Sequence, residues 1–320
     1  MFKRIITLRA VTCSLVLLSL HAIASNNVDL ESKADQTITQ LYHSQIIKPK
    51  SDLPTRIAVI SAQFLEKPYL RGALGEGTQG YYDNAPLYRV DAFDCETYVD
   101  TVLALALAKD QTTFKQRIRQ IRYQDGHVSF IHRNHFTCLD WNQHNQKQGF
   151  LKDITTTFRN KNGQPITKIA QALINKPGWY QHFSADIIRI NTPSSTEQAK
   201  RLASLKQRGN HLPRTISRIP YIPLTVLFNK AGQANMHIFN QIPNGAVIEI
   251  VRPNWDLNQQ IGTHLNISHL GFAIRQNGIL MFRAATSSNH RIMDCPLIDY
   301  LRETQKSPTI KGINIQIVVP

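Results

Sequence analysis

The segment VDAFDCETYVD, residues 90–100, sets one thiol, Cys95, between Asp94 and Glu96 at the opening of an apolar-faced run. A thiol attacks carbonyl carbon as thiolate, and a helix N-terminus favours that anion through its unpaired amides and its dipole. The two flanking carboxylates oppose it, so a cysteine nucleophile here needs an imidazole partner to take its proton. A buried, inert cysteine fits the position equally well. The candidate partner is His269 in NISHLGFAIRQNG, near the start of an apolar run where a rigid strand would hold the ring. With twelve histidines in the chain, a surface or satisfied core histidine is the default reading of any one of them. A second chemistry is metal-assisted hydrolysis by His127, His132 and His135 with Asp125 and Asp140. Their spacing contains no H-E-x-x-H pattern and matches no structural zinc site, so neither a metal nor another cofactor is expected.

These residues need elements to position them. Apolar residues recur at helical spacing over 29–46 and 53–66, as in Leu53, Ile57, Ile60 and Phe64. A long Gly-, Tyr- and Asn-rich loop follows at 71–89, a length that suggests a functional segment. The next helix starts at Cys95 with Asp94 as its N-cap, its inner face formed by Tyr98, Val102, Leu105 and Ala106 and widened by Val99 and Leu103. Another helix is expected over 111–121. DGHVSFIHRNHFTCLDWN reads as short strands and loops, and 167–183 and 196–208 read as helical or partly helical. The C-terminal third changes character: PYIPLTVLF, GAVIEIV, SHLGFAIRQ, GILMFRA and INIQIVV are β-branched or aromatic runs between turn residues. Asn277-Gly278 between two of them is a hairpin signal. Helices first and strands last give an α+β fold with an antiparallel sheet, without repeats or a clear linker.

The N-terminus, MFKRIITLRAVTCSLVLLSLHAIASNN, has a cationic start, an apolar stretch and a small-x-small site at Ala22-Ile23-Ala24. It reads as a signal peptide over 1–24, leaving 25–320 as one exported domain, periplasmic or secreted. The apolar run is too short for a spanning anchor, and no stable membrane insertion is expected. Thr12 stands before Cys13 where a lipidated cysteine would follow a small residue. Loss of Lys3, Arg4 and Arg9 lowers the net charge from +15 to about +12, a basicity suited to acidic polymers. Export argues against nucleic acid as the partner, and a monomer is expected. Cys95, Cys138 and Cys295 remain after cleavage. An odd number in an oxidising compartment leaves a thiol over, and a Cys138–Cys295 disulfide would make Cys95 the free one.

In order along the chain, LYRVDAFDCETYVDT, IRYQDG, RNHFTCLDWN, IPYIP, IPNGAVIEIV and SHLGFAI resemble the NlpC-type cell-wall cysteine hydrolases, a papain-related superfamily. The similarity is to the N-acetylmuramoyl-L-alanine amidase-like branch and runs from about residue 50 to the C-terminus. It implies a nucleophile helix packed on a C-terminal antiparallel sheet, with helical N-terminal and loop insertions, and amide hydrolysis in peptidoglycan or muropeptide fragments. Cys95 and His269 would be catalytic. Tyr88 resembles a tyrosine bordering the nucleophile, and Asn134, His135, Asp140 and Trp141 would line the substrate cleft. The superfamily's third polar group falls at Ala284, which has no hydrogen-bonding side chain, so either Thr286, Ser287 or a backbone carbonyl would orient the imidazole instead, or His269 would be held less firmly. The bond implied is the lactyl amide between N-acetylmuramic acid and L-alanine. A γ-D-glutamyl-diamino acid endopeptidase of the stem peptide is the alternative. So is an inactive relative that holds the wall through basic residues and Tyr81, Tyr82 and Trp179.

Overall fold

A computed structural model describes residues 29–44, 51–191 and 194–320; the expected signal peptide and Cys13 lie outside them. Helix α1 covers 29–43. It is followed by α2 (Leu53–Ala62), α3 (Cys95–Leu107) and α4 (Gln111–Arg122). Aspartates open three of them: Asp52, Asp94 and Asp110 accept the backbone N–H three residues on, satisfying an amide that has no partner within the helix. Helix α3 is buried on nearly every side, from Thr97 to Ala106, which fits its almost wholly apolar sequence after the first turn.

Among the described residues eight strands form one sheet: β1 (Leu151–Asp153), β2 (Lys168–Asn175), β3 (Arg214–Pro223), β4 (Ala246–Leu257), β5 (Thr263–Gln276), β6 (Ile279–Thr286), β7 (Arg291–Pro296) and β8 (Gly312–Val318). Their order is β2-β3-β8-β4-β5-β6-β7 with β1 added on β8, and every pairing is antiparallel. The expected hairpin joins β5 to β6, with Asn277 and Gly278 both at positive φ as its two-residue turn requires.

Alternation along the strands divides the core. Val247, Leu270, Phe272 and Ala285 face the α1–α4 layer, against Tyr98, Val102 and Leu105 of α3. Ile248, Ile250, Ala273, Phe282 and Ala284 face the other way, beneath a last helix that contributes Leu297 and Leu301 (Leu297–Thr304). The buried Arg283 crosses between layers: it pairs with Asp294 on β7 at 2.7 Å and donates to Ala58 O at 3.0 Å and Ser61 Oγ at 2.9 Å on α2.

Three expectations need correction. Residues 168–175 form a strand rather than a helix: Ala170, Ala172 and Ile174 are buried while Ile169 and Leu173 are exposed, the period-two pattern of a sheet edge. Only Lys176–Gln181 after it is helical. The 125–141 segment contains single helical turns, including a wide one at Thr137–Trp141, instead of strands. Cys138 and Cys295 are free thiols. Cys138 packs by β3, where its carbonyl accepts from Ser217, whereas Cys295 lies on β7 at the opposite edge of the sheet.

Candidate active site

Helix α3 begins at Cys95, as its sequence implied. The cap is reciprocal: Asp94 Oδ1 accepts the Thr97 N–H at 2.9 Å, and Thr97 Oγ1 accepts the Asp94 N–H at 3.0 Å. Asp94 Oδ2 also accepts the Gly72 N–H at 2.9 Å, which fixes the 71–89 loop against the start of the helix. The result is a cleft of about 420 Å³ at the junction of that loop, the first turn of α3, the 133–138 segment and β5. Cys95 and His269 both line it.

The strand geometry that presents His269 rests on Gly271. A Cβ at that position would lie 2.6 Å from Arg283 O and 2.7 Å from Ala284 Cβ, so β5 and β6 can approach this closely only with glycine there. The register places Phe272 opposite Arg283, and the ring of His269 meets the rings of Phe282 at 5.6 Å and Tyr300 at 6.2 Å. Neither Thr286 nor Ser287 orients the imidazole. Thr286 Oγ1 is bonded to Ser288 at 2.7 Å, and Ser287 sits exposed beyond the end of β6. Among the described residues, no side chain hydrogen-bonds the His269 ring; its neighbours are aromatic.

Burial disfavours the charged form of both Cys95 and His269. Burial, then Asp94 and Glu96, push the Cys95 thiol upward; the N–H groups of Leu270 and Glu96 face the sulfur and pull the other way. Burial lowers His269 to about 4. Burial thus acts against the expected thiolate–imidazolium pair on both of its members. Glu96, which accepts from the Thr137 hydroxyl at 2.9 Å, is itself held well above the usual carboxylate range by burial and by the negative charges of Asp100 and Asp94.

Of the residues expected around the nucleophile, His135 lines the cleft, with Nε2 2.7 Å from Phe130 O and burial depressing its protonation. The others do not. Trp141 is fully buried and donates Nε1–H to Asp100 at 2.7 Å. Asn134 donates to Ile121 O, and Asp140 pairs with Lys176 at 2.6 Å; both border a separate cavity of about 250 Å³. Tyr88 is buried under α1, its hydroxyl donating to Asp35 at 2.9 Å. The tyrosine beside the thiol is Tyr69, whose hydroxyl is made less acidic by burial and by Cys95. Arg71, Glu96, Arg133, Thr137 and Ser268 also line the cleft. Their signal in the sequence was adjacency: they flank Cys95, His135 and His269 or lie in the long loop. Among the described residues no group of three His, Cys, Asp or Glu is placed to hold a metal ion. Nor is any helix of them long and apolar enough to cross a membrane.

A family model described as "AmiA-like: N-acetylmuramoyl-L-alanine amidase-like" matches residues 59–310. A Legionella pneumophila (strain Philadelphia 1) protein of the DUF1460 family has a similar structure, with TM-score 0.89 and 52% identity over 92% of this chain and 97% of that one. A Bacteroides uniformis N-acetylmuramoyl-L-alanine amidase shares the fold at TM-score 0.58 and 20% identity, over 84% of this chain and 100% of its own. No curated protein matches the sequence.

Proposed function

The chain belongs to the N-acetylmuramoyl-L-alanine amidase-like family, and on that premise we propose that it is an exported cysteine hydrolase of peptidoglycan. It cuts the lactyl amide between N-acetylmuramic acid and L-alanine, in the manner of the NlpC-type, papain-related enzymes. The observation that carries this reading is that Cys95 and His269, far apart in sequence, line one cleft, with the thiol at a helix start.

Because burial disfavours charge on both groups, this mechanism joins proton transfer and attack in one step. His269 takes the S–H proton as the sulfur bonds to the carbonyl carbon, and the electron pair of the C=O moves to oxygen. The Cys95 backbone N–H, free at the first helical position, is suited to donate to that oxyanion. When the carbonyl re-forms, the C–N bond breaks and the imidazolium gives its proton to the leaving amine of L-alanine. Water then adds to the thioester, His269 accepting its proton. The C–S bond breaks, the muramic acid leaves with a carboxylate, and the sulfur recovers its proton. Burial, which pushes His269 toward its neutral form, keeps it available as a base in mildly acidic as well as neutral solution.

Incubation with defined muropeptides, followed by identification of the amine released, tests the reaction. A new L-alanine N-terminus is expected. A new diamino-acid N-terminus would assign the stem-peptide bond instead. Replacing Cys95 with alanine should abolish turnover and leave the far-ultraviolet circular dichroism unchanged.

One observation favours a second reading, a wall-binding relative without activity: Ala284 stands where a polar group would orient the imidazole, and no side chain among the described residues hydrogen-bonds the ring in its place. Wild type that binds muropeptides and releases no amine would establish that reading.

A further inference from the structure

Of the three aromatics expected to grip the wall, two are structural. Tyr82 is 3% exposed with its hydroxyl 3.2 Å from Ser204 Oγ, and Trp179 is packed among Phe136, Tyr180 and Phe183. Tyr81 is different: it is 52% exposed. The Arg201 guanidinium lies 4.2 Å from its ring centroid and also donates to Tyr81 O, and the Tyr82 ring meets it edge-on at 4.7 Å. One side of the ring is thus braced while the rest stays open to solvent.

Tyr81 borders a cavity of about 520 Å³, lined also by Glu76, Thr78, Gln79, Arg119 and Arg208. It lies outside the cleft described above. Glu76 is the unusual member. Its carboxylate side chain is 2% exposed and pairs through Oε1 with Arg133, but Oε2 is buried without a hydrogen-bond partner. A buried carboxylate oxygen without a donor is costly, and Glu76 forms part of the wall of this cavity. Arg119 and Arg208 are exposed, and neither is in an ion pair among the described residues.

The lining selects among ligand classes. An apolar ligand would leave the Thr78 and Gln79 side chains without partners, and a simple anion would meet Glu76 and Glu31. A sugar ring suits both halves: its hydroxyls donate to carboxylate and accept from guanidinium, hydroxyl and amide, and its C–H face packs on an aromatic ring. The cavity shares a wall with the cleft, since Arg133, the partner of Glu76, lines the cleft.

We propose that the cavity between Glu76 and Tyr81 is a glycan subsite that takes an N-acetylhexosamine unit of the wall strand, separate from the cleft that holds the scissile amide. The choice of N-acetylhexosamine rests on the amidase reading above; the cavity and its preference for a polyhydroxylated ring do not.

The test uses a probe without an amide to cut: a peptide-free tetrasaccharide of alternating N-acetylglucosamine and N-acetylmuramic acid, titrated into the wild-type protein by calorimetry. Saturable binding is expected. Tyr81→Ala should weaken it about tenfold. Arg208→Ala should weaken it less, and Tyr81→Phe should keep it within about twofold because the stacking face is retained. Absence of saturable binding, or a Tyr81→Ala variant that binds as wild type does, overturns the proposal. So does Tyr81-dependent binding of a sugar-free stem peptide in place of the tetrasaccharide. Muropeptide cleavage is measured in parallel. Wild type that binds the tetrasaccharide through Tyr81 but releases no amine refutes the amidase reading and leaves the subsite standing.

Discussion

Asp94 holds Gly72 by its backbone: the carboxylate that caps the helix carrying Cys95 also accepts the Gly72 N–H at 2.9 Å, so one side chain fixes both the start of that helix and the wall opposite it. Neither oxygen is spare. Asp94→Ala should lower stability by about 1 kcal/mol through the lost cap, measured by urea denaturation. Its effect on kcat/KM should be larger than that loss implies, because the loop wall is released as well. An activity unchanged in a fully folded variant would show that the Gly72 contact does not shape the cleft.

Cys95 should be sluggish toward iodoacetamide. Burial and two carboxylates disfavour its thiolate, so alkylation of the folded protein at neutral pH should run at least about tenfold slower than alkylation of the same cysteine in the urea-unfolded chain. The rate should climb only in alkaline solution. Peptide mapping by mass spectrometry reads it directly, and rapid alkylation at pH 6 would mean that the thiolate is preformed.

The His269 ring meets the rings of Phe282 and Tyr300, and under the proposed mechanism this packing is what orients the imidazole. Tyr300→Phe should therefore retain most of the activity, whereas Tyr300→Ala should reduce kcat ten- to hundredfold, roughly the cost of a misplaced base. A merely structural role would change stability and leave the pH profile alone. Here the acid limb of kcat/KM, set by His269 near 4, should rise toward ordinary imidazole values in the alanine variant as water reaches the ring.

Gly271→Ala puts a methyl group against Arg283 O and Ala284 Cβ, both fixed by the β5–β6 pairing. Overpacking of this kind costs about 1–3 kcal/mol. A drop in urea midpoint of that size is expected, and a variant as stable as wild type would show that the strands separate easily.

Glu249 is fully buried on β4, where Asn142 and Gln316 each donate to it at 3.0 Å. Burial raises its pKa from 4.5 to about 8. The folded protein then keeps a proton that the unfolded chain releases, so this group makes stability fall as pH rises from about 4.5 to about 8, and adds no further loss above that. Glu249→Gln, which cannot ionise, should flatten that part of the Tm–pH curve and be the more stable protein at pH 8 and above. Parallel curves for the two proteins would show that Glu249 ionises in the fold as easily as outside it.

Much of the local structure was legible in the chain. Asp94 before an apolar helical run predicted the helix start at Cys95, because a cap and its amides lie within one turn. Asn277-Gly278 predicted its hairpin for the same reason: both residues tolerate positive φ, and the strands that pair are their own neighbours. Residues 168–175 were misread because short runs of Ala, Ile and Leu satisfy a helix or a strand alike. What decides is β3, a partner almost 50 residues away, as in the Ala172–Ser217 pair.

The residues by themselves determined the chemical types: a thiol at a helix start, an imidazole on a strand, an apolar residue at 284 where a polar one was expected. Only the tertiary structure decided which groups share a cleft. Tyr69 rather than Tyr88 reaches Cys95 because Tyr88 is drawn into the core beneath α1 and spends its hydroxyl on Asp35. Trp141 goes inward to Asp100 while His135, six residues earlier, faces the cleft, since the wide turn at Thr137–Trp141 re-aims the chain between them. The charge state at rest was likewise a tertiary matter. A helix start alone favours thiolate, but burial acts on both groups at once and drives sulfur and imidazole toward their neutral forms.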